Sequence, residues 1–271
     1  QPRRQRQMCI RDRYCNPFWI VTGVIMSKKV NLLGEVDNFF LALKDRLDRA
    51  GALFTSSSEE ADITVGLGKY AADESVDVAI IAENDDFRSG NFSEIKGAGL
   101  VIRIHDLMIP EGGQGWGPED VEEWVQWIKD GTHEITPEVK PKHWVHIRDT
   151  TDAISLLVMA DTDAFAQGVI DLCGRRAWGP EPVISEIKLL WNRFTNAITH
   201  SHTIESLSEI PSPAANQFEG ERKRPDLEPL HEAMKNAGRE EGWRPLTPMR
   251  VALMEFLAHT KKLHSEPDHN N

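Results

Sequence analysis

Tyrosine and cysteine are scarce in this chain: tyrosine occurs only at positions 14 and 70, and cysteine at Cys9, Cys15 and Cys173. No Cys-x-x-Cys pair joins the cysteines, so they offer neither a metal site nor a disulfide framework, and a reducing, cytoplasmic setting is expected. Basic charge is also short. The 31 Lys and Arg stand against 43 Asp and Glu, a formal net charge of −12. That balance argues against a broad nucleic-acid surface, which needs clustered Lys and Arg to neutralise phosphates. Long apolar runs are missing as well. The stretch Pro17 to Met26 is short and no small-residue cleavage site follows it, so neither a signal peptide nor a membrane partner is expected.

What is there suits a globular protein. The 271 residues, 40% of them hydrophobic, can bury a sizeable core in one large domain or two small ones. Composition breaks near the start. Residues 1–25 carry five arginines and one acid, and Gln7 to Tyr14 reads like translated sequencing-adapter text. Met26 is therefore expected to be the true start and residues 1–25 to add nothing to the fold. From Met26 onward there are 26 basic and 42 acidic residues, and Cys173 is the sole thiol.

Lys29 to Phe54, KVNLLGEVDNFFLALKDRLDRAGALF, reads as strand, turn and helix of a nucleotide-binding βαβ unit. At Gly-x-x-Gly-x-x-Gly spacing the turn positions are Gly34, Asp37 and Phe40, so two of three glycines are replaced. Asp37 would set a carboxylate where the helix N-terminus meets phosphate, and Phe40 a ring where only hydrogen fits. Helical spacing of Phe40, Leu43 and Leu47 predicts a helix over Asp37 to Ala50, stopped by Gly51. Strands are predicted at Ala52–Thr55, Ala61–Val65, Val76–Ala82, Leu100–His105, Trp144–Arg148 and Val169–Cys173. Helices are predicted at Leu67–Glu74, Pro118–Asp130, Pro182–Phe194 and Pro248–His259, with a further one to Ala160 capped by Asp149. VDVAIIA has the continuous apolar character of a buried parallel strand. Glu111 to Gly117, EGGQGWG, lacks the Lys-Ser/Thr ending of a P-loop and reads as a loop. Ser208 to Arg224 and the tail after Leu263 read as loop and disorder.

Late in the chain three segments carry a recognisable pattern: WVHIRDTTDAI at Trp144 to Ile154, Arg224-Pro225-Asp226, and Glu241-Gly242-Trp243-Arg244-Pro245. With Gly34, Asp77 and Arg103 in fitting contexts, most of Met26 to His259 resembles the extended short-chain dehydrogenase/reductase family, the NAD-dependent epimerases and dehydratases of nucleotide sugars. The resemblance implies an α/β fold: a shortened, Rossmann-like, mostly parallel sheet with a small C-terminal substrate-type subdomain. The Rossmann part would lie mainly in 28–106 and 144–175, the substrate part in 107–143 and 176–265. It also implies that Arg224 helps hold the sugar nucleotide's diphosphate, with Arg103 a second substrate-binding candidate and Gly34 a vestigial cofactor turn. The family's chemistry uses a tyrosine four residues before a lysine, whose charge lowers the phenol's pKa while hydride moves at the nicotinamide. Here Tyr70 is followed four places on by Glu74, and the segment that would carry the pair is cut to Glu83–Gly99. No catalytic residue is assigned, none or only weak NAD(P) binding is expected, and the dimer built by the missing helices is in doubt.

Other chemistry-bearing residues have plainer readings. His200 and His202 would share a strand face, but without a third ligand nearby they read as loop histidines, and no metal site is assigned. His143 and His146 read as a pair at a strand edge. Cys173 reads as a buried inert thiol, and Trp124, Trp127 and Trp191 as core. Three functional readings stay open: a degenerate, non-catalytic relative that binds a nucleotide-sugar-like ligand or a partner protein, an active NAD(P)-dependent epimerase, dehydratase or reductase, and a structural subunit of an active paralogue.

Overall fold

The computed structural model describes residues 27–73, 75–83, 95, 97–117, 119–132, 140–161, 164–207 and 224–262. In chain order it places β1 (Lys29–Leu33), α1 (Asn38–Arg49), β2 (Leu53–Phe54), β3 (Ile63–Leu67), β4 (Val78–Ala82), β5 (Leu100–Ile104), β6 (Leu107–Met108) and α2 (Asp120–Asp130). Then follow β7 (Val145–His146), α3 (Ile147–Met159), β8 (Gly168–Leu172), α4 (Pro180–Thr199), α5 (Glu228–Asn236) and α6 (Met249–Lys262). Residues 1–25, the tail after Leu263, and most of Glu83–Gly99 and Ser208–Arg224 lie outside the described residues.

Six strands form one sheet in the order β2-β1-β3-β4-β5-β8, and every neighbouring pair is parallel. The Rossmann-like, mostly parallel sheet expected from the sequence is thus what the chain builds. The apolar runs of β3, β4 and β5 explain the arrangement, because strands buried on both faces cannot alternate with polar residues. Along β4, Val78, Ile80 and Ala82 enter the main core with α1, α3 and α5, while Ala79 and Ile81 turn to a smaller cluster with Val76 and Val101. Each fully buried Val or Ile here is worth roughly 1.5–3 kcal/mol. A second core joins α2, α4 and α6 around Trp124, Val125, Ile187, Leu253 and Phe256, with Met108 of β6 and Trp144 linking it to the sheet.

Several elements depart from the sequence expectation. The helix predicted at Leu67–Glu74 is a 3-10 turn, Gly68–Ala72, because β3 extends through Leu67 and Asp73 ends the turn by accepting from the Ser75 N–H and hydroxyl. The strand predicted at Trp144–Arg148 is only Val145–His146. His146 itself caps α3, its Nδ1 accepting from Arg148 N at 3.2 Å, so Asp149 is not the cap. Instead Asp149, buried, accepts from Leu246 N at 2.8 Å and Thr247 N at 3.0 Å. Helix α4 runs on to Thr199 and closes at His200 in the left-handed region, φ 54°, so His200 and His202 do not share a strand. In α1 it is Phe39, with Leu43 and Leu47, that is buried, and Phe40 is half-buried.

Candidate functional site

The carboxyl end of the main sheet and the second helical layer meet around a cavity of about 810 Å³. Its walls come from three places: Trp144 just before β7 and His146 on it, the turn Gly174–Trp178 after β8, and the run from Glu241 to Ala252 that enters α6, with Arg224 at its side. Each wall is fixed by the fold. A side chain at Gly174 would overlap the Trp144 carbonyl, so only glycine lets the β8 exit pass this close to β7. Gly174 N donates to His143 O at 2.8 Å, and Lys142 and Trp178 exchange backbone bonds of 3.0 and 2.8 Å, which pin the turn at both ends. On the opposite wall Trp243 is buried and its indole N–H donates to Cys173 O at 2.9 Å. Gly242 takes φ 63° beside the His231 ring, and the Asp149 carboxylate clasps the N–H groups of Leu246 and Thr247. The Glu-Gly-Trp-Arg-Pro signature is therefore a structural clamp that carries one wall.

The lining is cationic in an acidic protein. Among the described residues five arginines, Arg175, Arg176, Arg224, Arg244 and Arg250, line the cavity, against one lining carboxylate, Glu241. Arg250 is engaged by the buried Glu186, and Arg244 faces Glu241 at 3.3 Å. Arg224 donates from Nη1 to the Arg175 carbonyl at 3.2 Å. Asp226 reaches forward to accept from Glu228 N at 3.0 Å at the start of α5, and Arg224, two residues before Asp226, lies at the cavity. His146 lies in the floor, its Nε2 3.2 Å from Glu255, and burial pushes its pKa below 6.5 against the pull of that carboxylate.

Arg103 is not brought to this cavity. It sits on β5 and grips Asp171 of β8 through two bonds, of 2.5 and 2.8 Å. His105, just past β5, reaches Asp171 at 2.7 Å with Nε2 and Glu83 at 3.1 Å with Nδ1. Burial alone would lower the His105 pKa, yet the two carboxylates outweigh it and raise the value above 6.5. Burial likewise opposes ionisation of Asp171, but the bonds from His105 and Arg103 bring its pKa down to about 2. This charged cluster at the carboxyl ends of β4, β5 and β8 escaped the sequence reading, because the four residues become neighbours only through strand register. Arg175, Arg176 and Arg250 escaped it too; the sole signal was a basic doublet directly after a predicted strand.

At the other half of the sheet, Gly34 ends β1 and α1 begins. An added Cβ at Gly34 would come 2.9 Å from Phe40 Cδ2, so the ring packs on the turn. Asp37 is the N-cap of α1: Oδ1 accepts from Phe40 N at 2.7 Å and Oδ2 from the Trp116 indole N–H at 2.7 Å. Asn38 Nδ2 donates to the carbonyls of Glu111 and Gly112, at 2.8 and 3.2 Å, and Gln114 Oε1 accepts from Asn38 N at 3.3 Å. The loop Glu111–Gly117 therefore lies against the helix N-terminus.

No family profile matches the chain. No curated protein matches it either. Solved structures do. The Bordetella bronchiseptica enzyme WbmF in complex with NADH superposes with TM-score 0.51 at 11% identity, covering 89% of this chain and 94% of that one. RMD from Pseudomonas aeruginosa complexed with NADPH gives TM-score 0.52 at 12% identity, over 88% and 99% of the two chains. The UDP-glucose 4-epimerase of Thermotoga maritima with UDP-glucose gives 0.52 at 12%, over 88% and 100%. At such identities what is shared is the fold, a Rossmann-like, mostly parallel sheet with flanking helices.

These neighbours overturn the expectation of no or only weak NAD(P), since they were crystallised with NADH, NADPH and, for WbmG, NAD. The geometry supplies a reason why Asp37 was misread. Its carboxylate does not project toward a phosphate; both oxygens are turned back on N–H groups of the helix and of Trp116, and the helix end favours the negative charge. Among the described residues no span is long and apolar enough to cross a membrane as a helix, and no group of three or more metal-ligating side chains occurs.

Proposed function

We propose that this protein binds a nucleoside-diphosphate-type ligand, of the nucleotide-sugar class, in the arginine-lined cavity, and acts as a binding or regulatory protein without the family's tyrosine–lysine proton transfer. The observation that carries this reading is the concentration of five guanidiniums around one cavity of about 810 Å³ in a chain of net charge −12. That volume suits a nucleotide-sized ligand. Arg224 is its principal contact, because it pairs with no carboxylate among the described residues and its planar fork matches phosphate. NAD(P) belongs at the Gly34–Asn38 end of the sheet, where the turn and the N-terminus of α1 would receive its pyrophosphate once the Gln114 side chain gives way. When bound, that cofactor would supply hydride transfer. The Rossmann part, mainly 28–106 and 144–175, then holds the dinucleotide, and 107–143 with 176–265 most of the sugar nucleotide's surroundings.

The test is a thermal-shift and calorimetric screen of the protein against UDP, UDP-glucose, NAD(H) and NADP(H). Arg224→Ala should weaken the sugar nucleotide by about 1.5–3 kcal/mol, with Arg224→Lys recovering only part. Equal binding by wild type and Arg224→Ala would refute the assignment. A second reading, a working NAD(P)-dependent enzyme, is favoured by one observation: His105, held between Asp171 and Glu83 at the carboxyl end of the sheet, has its pKa raised above 6.5 by those carboxylates and is a candidate proton carrier. Turnover of NADH with a nucleotide sugar, lost in His105→Gln, would decide for it.

A further inference from the structure

We infer that Arg175 is a second anion contact in this cavity, forming with Arg224 a two-guanidinium clamp that selects a diphosphate over a monophosphate. The inference rests on the reading of the cavity as a nucleotide site and names a chain-specific residue outside the motifs that suggested that reading.

Charge pairing around the cavity is uneven. Arg244 faces Glu241 and Arg250 is engaged by Glu186, so those two guanidiniums are largely neutralised. Arg175 and Arg224 meet no carboxylate among the described residues, and both are exposed at the cavity. The bond from Arg224 Nη1 to the Arg175 backbone carbonyl, 3.2 Å, joins two segments 49 residues apart and holds the Arg224 guanidinium against the turn that carries Arg175. Both cations line one cavity without a carboxylate partner among the described residues, in a chain that carries 43 acids. A diphosphate diester brings two adjacent negative charges, one for each guanidinium.

The Arg175 position is also preorganised. Gly174 is pressed against Trp144 and bonded to His143 O, and Trp178 is bonded both ways to Lys142, so the turn carrying Arg175 is anchored on either side. An anion clamp gains from such anchoring, because less backbone freedom is lost on binding.

Calorimetry with UDP, UMP, pyrophosphate and phosphate on wild type, Arg175→Ala, Arg175→Lys and Arg224→Ala separates the possibilities. Wild type should prefer UDP to UMP by about tenfold or more. Arg175→Ala should weaken UDP by roughly tenfold while leaving UMP within about twofold, Arg175→Lys should keep part of the preference, and Arg224→Ala should weaken both ligands. Because Arg175 is exposed, its variants should melt with wild type, which makes a binding loss interpretable. If Arg175→Ala binds UDP as wild type does while Arg224→Ala does not, the clamp is refuted and the nucleotide site stands. If wild type binds none of the four probes, the nucleotide reading fails and the clamp with it.

Discussion

Replacing Asp149 tests the way the cavity wall is built. The sequence alone makes Asp149 a helix cap, a role in which Ser serves nearly as well as Asp and loss to Ala costs about 1 kcal/mol. In the structure His146 holds the cap, and the Asp149 carboxylate, buried, accepts from Leu246 N at 2.8 Å and Thr247 N at 3.0 Å across 97 and 98 residues of chain. Each charge-assisted bond is worth about 1.5–3 kcal/mol net. Leu246 is exposed and Thr247 half-buried, so water recovers part of the loss, and Asp149→Ala should cost about 2–4 kcal/mol. For a chain of this size that lowers Tm by about 5–15 °C. Asp149→Ser should cost nearly as much as Asp149→Ala, since one short hydroxyl cannot span both N–H groups. Asp149→Asn, keeping one carbonyl oxygen, should fall between. Urea unfolding of the four proteins measures the series, and affinity for UDP should fall alongside stability as the 246–247 wall loosens. Asp149→Ser within about 0.5 kcal/mol of wild type would refute the clasp and restore the cap.

Three further outcomes are expected. Gly242→Ala should destabilise by about 1–3 kcal/mol, because φ 63° is strained for alanine and its Cβ would overlap the His231 ring; chemical denaturation measures it, and a neutral result would mean that this turn relaxes freely. Trp243→Phe should cost about 1–3 kcal/mol by leaving the buried Cys173 carbonyl without its indole donor, read by the same method. His105, its pKa raised above 6.5, holds its proton more tightly folded than unfolded, so its contribution is full below about pH 6.5 and is lost as pH rises through the folded value. His146, its pKa lowered, works the other way below pH 6.5, so the clean comparison is the melting profile above that pH, which should be flatter in His105→Gln than in wild type.

The order of strands and helices was legible because it depends on local pattern. Runs such as VDVAIIA and LVIRIH are apolar on both faces, which only a covered parallel strand tolerates, and the 3.6-residue spacing of Val121, Trp124, Val125 and Ile128 predicts α2. The Arg224 and Glu-Gly-Trp-Arg-Pro motifs were legible as text, and residues of both line the cavity. The two-residue β6 and the nine-residue α5 went unread, being too short to show a period.

The sequence by itself determined the parallel α/β scaffold, the acidic charge balance and the absence of a Tyr-x-x-x-Lys pair, because each of these is a property of residue identity and spacing along the chain. Tertiary structure alone decided what the polar residues do. Asp37, a local cap on Phe40 N, is also tied to Trp116, and Asp149 is a clasp, because Trp116, Leu246 and Thr247, remote in sequence, are brought to them. The same is true of the arginines. Arg250 is silenced by Glu186, 64 residues away, while Arg224 bonds to the Arg175 backbone carbonyl and neither arginine meets an acid among the described residues. A charged group's function is set by whether its charge is answered within the fold, and only the folded chain decides which charges are brought together.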